Sequence, residues 1–195
     1  MKNLLTVLVL ALSLALAACD FDGGVEQGRC VAYDAQANTV TLVVDTTLDQ
    51  HDPHYSGKVD TFKLPTNPLD MGPAPVPGGC LMLETDKNQI LYYDPATKSV
   101  KEMPVEFTNI EKGVSAKSPK LKDKKFPIID KEKDLVTVYS PLKEALVTFK
   151  VPADALSMAP YVFEIGDEVR IAFRKDMPGQ AIRFMNVSKT SIFTR

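Results

Sequence analysis

The chain has 195 residues, a formal net charge of −2 and 45% hydrophobic residues, enough apolar side chains to build a packed core. This composition excludes a wholly disordered protein. The absence of a basic stripe with interleaved aromatic residues excludes a nucleic-acid-binding protein.

The N-terminus has the pattern of a bacterial secretion signal. Lys2 precedes an apolar run over residues 4–18, which is shorter than the roughly 20 residues of a membrane-spanning helix. The run ends in Leu16-Ala17-Ala18-Cys19, which resembles the lipobox of bacterial lipoproteins. This resemblance implies cleavage after residue 18, lipidation of Cys19 and attachment to the cell membrane on its periplasmic side. By the same resemblance, Asp20 favours retention in the inner membrane.

The rest of the chain contains a weak internal duplication. Four segments of the first half match four segments of the second half in the same order, so chance is a poor explanation. The matched pairs are residues 34–42 with 130–138, 62–65 with 149–152, 78–83 with 166–171, and 90–94 with 182–186.

The duplicated units are predicted to be short β-strands. Val169, Ile171 and Phe173 alternate with Arg170 and Arg174, which is typical of a strand with one apolar and one polar face. We therefore predict an all-β protein of two tandem small OB-like antiparallel β-barrels, because closing a small sheet into a barrel covers its edges. A single β-sandwich is the alternative fold.

The domain boundaries are predicted from the internal repeat and from a lysine-rich segment between its two units. Lysine is frequent and apolar residues are rare between the two units, which indicates an exposed linker. The predicted segments are a signal peptide (1–18), a lipidated tether (19–27), a first barrel (28–111), a linker (112–124) and a second barrel (125–195).

Charge is divided unevenly between the two halves. Residues 20–111 hold 15 acidic and 6 basic side chains, whereas residues 112–195 hold 10 acidic and 16 basic side chains. The simpler interpretation is ordinary solvated charge in each half. Alternatively, the two halves attract each other, or the basic half faces anionic lipid or an acidic partner.

Two cysteines remain once Cys19 carries lipid. Cys30 and Cys80 form an even pair in an oxidising compartment, which predicts a disulfide between them. The alternative is a pair of buried free thiols.

A polar loop holds the only two histidines of the chain, His51 and His54. Imidazole and carboxylate groups at this spacing are able to share a divalent metal such as Zn²⁺ or Cu²⁺. The candidate metal ligands are therefore His51, His54, Asp52 and Asp49. The alternative is a loop tip that binds nothing, and no other cofactor is predicted.

No Gly-x-Ser-x-Gly or His-Glu-x-x-His motif occurs, so no catalytic residue is predicted. A lipid anchor combined with small barrels favours a non-catalytic binding or scaffolding module with an envelope protein as partner. The alternatives are a metal-binding lipoprotein that uses the histidine loop and a hydrolase of envelope polymers, since paired carboxylates are not recognisable from sequence.

The whole chain also resembles lipoproteins of unknown function from anaerobic deltaproteobacteria. The resemblance rests on the lipobox and on three short tracts, and it implies no activity. The tracts are Asp52-Pro53-His54-Tyr55, Phe62-Lys63-Leu64-Pro65 and Met71-Gly72-Pro73.

Overall fold

The computed structural model of the protein describes residues 22–49 and 52–190. Twelve β-strands and five short 3₁₀ helices make up the regular structure of these residues, which confirms the predicted all-β class. None of the helices in the described ranges is long and apolar enough to cross a membrane. The 3₁₀ helices are Pro68–Asp70, Thr85–Lys87, Pro119–Leu121, Ala155–Ser157 and Pro160–Phe163.

The largest sheet has five antiparallel strands from both ends of the chain. They are β1 (Gly23–Asp34), β2 (Thr39–Asp45), β3 (Tyr55–Lys63), β11 (Glu168–Arg174) and β12 (Ala181–Asn186), and they lie in the order β12-β11-β1-β2-β3. Alternate residues of β2 and β11 build a core on one face of this sheet, because side chains of a strand alternate between its faces. Val40, Leu42, Val169 and Ile171 are each fully buried there.

Two smaller antiparallel sheets complete the fold. One contains β4 (Cys80–Glu84), β5 (Gln89–Asp94) and β6 (Ser99–Pro104) in that order. The other contains β7 (Glu106–Lys112), β8 (Ile128–Asp130), β9 (Leu135–Ser140) and β10 (Ala145–Lys150), in the order β7-β10-β9-β8.

Strand β5 shows that the three sheets stack in layers. Ile90 and Tyr92 pack in the core that is shared with the four-stranded sheet. Leu91 and Tyr93 pack on the other side, against Val43 of the five-stranded sheet. Because successive side chains point to opposite faces, the three-stranded sheet lies between the other two.

The strand pairing corrects the predicted division into two tandem OB-like barrels. β1 pairs with β11 from Gly23↔Arg174 to Arg29↔Glu168, and β7 pairs with β10. Each pair joins a strand of the predicted first barrel to a strand of the predicted second barrel, and no sheet of the described residues closes into a barrel. The physical reason is that both edges of β1 need partners, and β2 covers one edge while β11 covers the other.

The predicted tether and linker are also shorter than expected. β1 begins at Gly23, inside the predicted 19–27 tether, because its backbone is paired with β11. In the predicted 112–124 linker, Val114 is buried, and its N–H donates to the Glu144 carbonyl at 2.7 Å. The predicted signal peptide (1–18) and the predicted lipidation site Cys19 lie outside the described residues.

The first pair of matched repeat segments forms the same hairpin turn in both halves. Asn38 and Asp134 end the turns with φ angles of 54° and 57°, in the left-handed region. Their carbonyl oxygens accept the N–H groups of Leu64 and Val151 at 2.8 and 2.9 Å. The repeat in the sequence therefore corresponds to a repeat in local structure, although its strands pair across the halves.

Candidate functional site

The β2–β3 loop carries the predicted metal ligands and is organised by a buried carboxylate. Asp45, which is 2% exposed, accepts hydrogen bonds at Oδ1 from the backbone N–H of Thr47 at 3.0 Å and of His54 at 2.8 Å. These two bonds fix both ends of the loop, because a charged acceptor makes strong hydrogen bonds in a buried setting.

Two of the four candidate ligands come close together. His54 Nε2 lies 4.0 Å from Asp52 Oδ2, and both side chains are largely exposed. Asp49 lies in the same loop, where its carbonyl accepts the Asp52 N–H at 3.3 Å, while His51 lies outside the described residues. In the described part of the chain, no group of three or more His, Cys, Asp or Glu side chains is arranged to hold a metal.

The predicted Cys30–Cys80 disulfide is absent, because both residues are buried free thiols. Cys30 packs in the core of the five-stranded sheet, whereas Cys80 packs in the core between the three- and four-stranded sheets. Their side chains therefore belong to different layers. Burial raises the pKa of each thiol to about 12, which keeps both in the protonated, unreactive form.

A buried arginine ties the five-stranded sheet to the three-stranded sheet. Arg29 is 6% exposed and donates from Nη2 to the Leu81 carbonyl in β4 at 3.2 Å. Its Nη1 donates to the Gly166 carbonyl at 2.8 Å, and its Nε donates to the Tyr55 hydroxyl at 3.1 Å. One side chain thus satisfies polar groups on several elements, which rigidifies their junction.

Glu168 balances the charge of this arginine. Its Oε2 lies 3.6 Å from Arg29 Nε and accepts the Tyr55 hydroxyl at 3.0 Å. Burial raises the pKa of the Glu168 carboxyl, and the charge of Arg29 offsets part of that rise. Burial likewise raises the pKa of Tyr55, which keeps the phenol protonated as a hydrogen-bond donor.

The network continues toward the start of β1. Gln27 is fully buried, and its Nε2 donates to Asp45 Oδ2 at 3.3 Å. Arg170 donates from Nη2 and Nε to Gln27 Oε1 at 2.6 and 3.0 Å. The histidine loop is therefore connected through Asp45 and Gln27 to Arg170 of β11, so its position depends on buried contacts.

A small cavity of about 40 Å³ adjoins Arg29 where the three sheets meet. Its volume admits a few water molecules but no organic ligand, since one water needs about 10–15 Å³ on this measure. Arg29, Pro53, Cys80, Leu81, Met82, Leu83, Ser140, Leu142, Lys143 and Ile165 line it. Ser140 and Lys143 have the Ser-x-x-Lys spacing of some acylated enzymes, but here Ser140 ends β9 and Lys143 lies in the turn after it, so neither is on a helix.

A larger opening of about 510 Å³ lies between the five-stranded and three-stranded sheets; we call it the tyrosine groove. Its floor is fixed by Tyr161, whose hydroxyl donates to the Val31 carbonyl at 2.6 Å. Its rim is polar, and Thr61 and Lys98 are exposed there. The groove is lined by Val31, Ala32, Thr41, Val59, Thr61, Tyr93, Pro95, Lys98 and Tyr161.

Sequence reasoning missed the buried network and the groove. Arg29 and Glu168 look like solvent-facing residues in alternating strands, and only the stacking of a second sheet buries them. The Ser140-x-x-Lys143 spacing is visible in the sequence, and the structure places both residues beside the Arg29 cavity. No comparable signal marks the tyrosine groove, because its residues come from distant segments.

Residues 21–195 match the family model described as Domain of unknown function (DUF4881). No curated protein and no solved structure matches the chain.

Proposed function

The chain belongs to the DUF4881 family, and we propose that this member is a membrane-anchored envelope lipoprotein that serves as a non-catalytic binding or scaffolding module. The lipobox places the proposed lipid on Cys19, two residues before the family match begins. Two or more acyl chains give stable membrane attachment. The domain would then face the periplasm, with Asp20 favouring the inner membrane.

The observation that carries the binding role is the tyrosine groove. Its volume falls in the range of ligand-binding clefts, and tyrosine is enriched at protein interfaces because it combines apolar area with a polar tip. An open groove with exposed rim residues suits a segment of a partner protein better than an enclosed small molecule. We therefore propose an envelope protein as the occupant.

The groove is also held away from the proposed anchor. Strand β1 runs from Gly23, next to the tether, to Val31 on the groove floor. Eight residues of extended strand span about 26 Å. A partner in the groove would therefore bind clear of the headgroup layer, which suits a protein that presents a binding surface to the periplasm.

Site-specific photo-cross-linking in cells tests this role. A photoreactive residue placed at Lys98 of the full-length protein should give one adduct of discrete mass. Thr61→Arg should abolish the adduct, because it places a long charged side chain in the groove. Thr108→Arg is the matched control, since Thr108 is also exposed but lies on β7 of the four-stranded sheet and does not line the groove. An adduct that survives Thr61→Arg, or no adduct at all, would contradict the proposal.

A second candidate function is metal binding by the histidine loop. The 4.0 Å approach of His54 to Asp52, on a loop held by Asp45, is the observation that favours it. A site would need further ligands, and His51 and Asp49 are the candidates in the same loop. Calorimetric titration with Zn²⁺ tests it. Equal heats for the wild type and a His51→Ala/His54→Ala variant would rule it out.

A further inference from the structure

We propose that one face of the five-stranded sheet rests on the anionic headgroups of the bilayer that carries the lipid anchor. The inference rests on the proposed anchoring at Cys19 and adds the orientation of the domain to it. The face, called here the arginine face, is an open groove of about 440 Å³ next to the start of β1. Its lining includes Val25, Arg170, Arg183 and Met185 of the sheet and Leu69 and Met71 of the neighbouring segment.

The arginine face exposes apolar side chains to solvent. Leu69 is 87% exposed and Val25 is 50% exposed, and both line this groove. Leu69 is held outward by a 3₁₀ turn, because Asn67 Oδ1 accepts its backbone N–H at 3.1 Å. The turn is fastened to the sheet where Gly72 donates to the Phe184 carbonyl at 3.0 Å. A fixed, exposed leucine beside a valine is suited to shallow insertion between lipid headgroups.

The same face carries positive charge that forms no ion pair with any of the residues that the structure describes. The Arg170 guanidinium donates to two neutral acceptors, the side-chain oxygen of Gln27 and the carbonyl of Leu48. Arg183 is exposed on β12, and the groove contains one carboxylate, Asp70, which accepts a hydrogen bond from Asn67 at 2.8 Å. Guanidinium groups bind phosphate oxygens in a planar, paired geometry, so phospholipid headgroups match this surface.

Neighbouring basic residues behave differently. Arg174 makes two 2.8 Å contacts with the Asp176 carboxylate, and Lys175 pairs with Asp22 at 2.6 Å. Near the start of β1, the basic side chains outside the groove are therefore paired with carboxylates. Arg170 and Arg183, inside the groove, remain available to bind an anionic group. This contrast is what would direct one particular face to an anionic surface.

The short connection to the anchor brings this face to the membrane. Only residues 20–22 separate the proposed lipid-bearing Cys19 from Gly23, the first residue of β1. The four residue steps from Cys19 to Gly23 span at most about 14 Å even when fully extended. Val25 follows two residues into the strand, so the arginine face lies within reach of the headgroup layer, whereas the tyrosine groove lies at the other end of β1.

A fluorescent label at position 69 tests this orientation. The full-length acylated protein with Leu69→Cys would carry an environment-sensitive dye and be reconstituted on vesicles of phosphatidylcholine, with or without phosphatidylglycerol. Cys30 and Cys80 are buried with raised thiol pKa values, and the proposed lipid blocks Cys19, so the dye reacts at position 69. We expect quenching by brominated lipid chains on the anionic vesicles. The same dye at Lys98→Cys, in the tyrosine groove, should remain unquenched.

Charge-reversal variants supply the matched controls. Arg183→Glu should weaken quenching of the position-69 dye at least about twofold, because a guanidinium that attracts phosphate becomes a repelling carboxylate. Lys150→Glu makes the same change of charge at an exposed position of β10, outside the lining of both grooves, and should leave quenching unchanged. Arg183 is exposed, so its replacement spares the core.

The outcomes separate this inference from the anchoring proposal on which it rests. Protein that floats with both vesicle types and is quenched at position 69 on the anionic ones supports the inference. Protein that floats with the vesicles but shows no quenching of the position-69 dye overturns the inference. The arginine face would then be a candidate surface for a protein partner. Protein that does not float overturns the anchoring at Cys19, and the membrane orientation with it.

Discussion

Arg29 and Glu168 are cross-strand partners in β1 and β11, and Arg29 Nε lies 3.6 Å from Glu168 Oε2. They come from opposite ends of the described chain and are both buried. A buried charge is tolerated when it is paired and hydrogen-bonded. The pair therefore marks the point where the two halves of the sequence depend on each other to fold.

Removing one member of this pair should be strongly destabilising. We expect Arg29→Met to lower the free energy of unfolding by about 3–5 kcal/mol, because it leaves the Glu168 carboxylate buried without its partner. The double variant Arg29→Met/Glu168→Leu should lose less free energy of unfolding than the two single variants lose together. Urea denaturation of the four proteins measures this coupling. Additive losses would show that the two residues act independently.

An exposed ion pair serves as the control for that series. Lys133 Nζ lies 3.5 Å from Asp130 Oδ2, and the Lys133 side chain is 71% exposed. Lys133→Met should cost less than about 1 kcal/mol, since water screens pairs of this kind.

The raised pKa of the Glu168 carboxyl predicts a pH dependence of stability. Its folded-state pKa lies above the ordinary value of 4.5, chiefly because of burial, so the folded state binds the proton more tightly. Its contribution to stability is complete below pH 4.5 and is lost as the pH rises through the folded pKa. The unfolding free energy of the wild type minus that of Glu168→Gln should therefore fall as the pH rises from 4.5 through the folded-state pKa of Glu168.

Asp94 gives a contrast of opposite sign. A hydrogen bond from Lys101 lowers the pKa of this carboxyl to about 2, so its contribution is present at higher pH and is lost as the pH falls toward that value. Denaturant titrations of Asp94→Asn and Glu168→Gln across the acid range should show opposite slopes relative to wild type. Equal slopes would contradict the burial of Glu168.

The strands were far more predictable from the sequence than their partners. The alternation of Val169, Ile171 and Phe173 with Arg170 and Arg174 correctly indicated β11, because the period of a strand is a local property. The pairing of β1 with β11 is not local, since many other strands could cover the same edge. The layer arrangement is equally hidden, and with it the burial of Arg29, which local alternation assigns to a solvent-facing position.

The candidate sites divide in the same way. The histidine loop was predictable because its residues are contiguous, and the structure does bring Asp52 and His54 within 4.0 Å. The prediction of a Cys30–Cys80 disulfide was wrong, because the number of cysteines and the cellular compartment do not specify the layer into which each side chain points. The tyrosine groove combines residues from β1, β2, β3 and β5 with Tyr161, so no contiguous sequence motif predicts it.

Thiol chemistry tests the corrected state of Cys30 and Cys80. We expect neither thiol to react with maleimide at neutral pH in the folded protein, because burial raises both pKa values to about 12 and blocks access. After denaturation without a reductant, both should be labelled, as mass spectrometry of the cysteine peptides would show. Labelling that appears only after reduction would reveal a disulfide.

Gly166 should tolerate no side chain. A Cβ at this position would lie 2.3 Å from the Cys30 carbonyl oxygen and 2.8 Å from the backbone nitrogen of Gly78, the residue matched to it in the repeat. We expect Gly166→Ala to cost about 3 kcal/mol of unfolding free energy, because backbone atoms are unable to move aside. Gly113→Ala meets no atom within 4 Å and should cost about 1 kcal/mol of left-handed strain. Thermal denaturation of both variants compares them, and equal losses would argue against the contact.

The proposed lipid on Cys19 is the premise that joins the proposed binding groove to the membrane. Intact-mass measurement of the protein extracted from membranes with detergent tests it most directly. We predict a chain that begins at Cys19 and carries the added mass of a diacylglyceryl group, with an amide-linked acyl chain where the host adds one. A chain that begins at another residue, or an unmodified Cys19 thiol, would contradict the lipoprotein assignment.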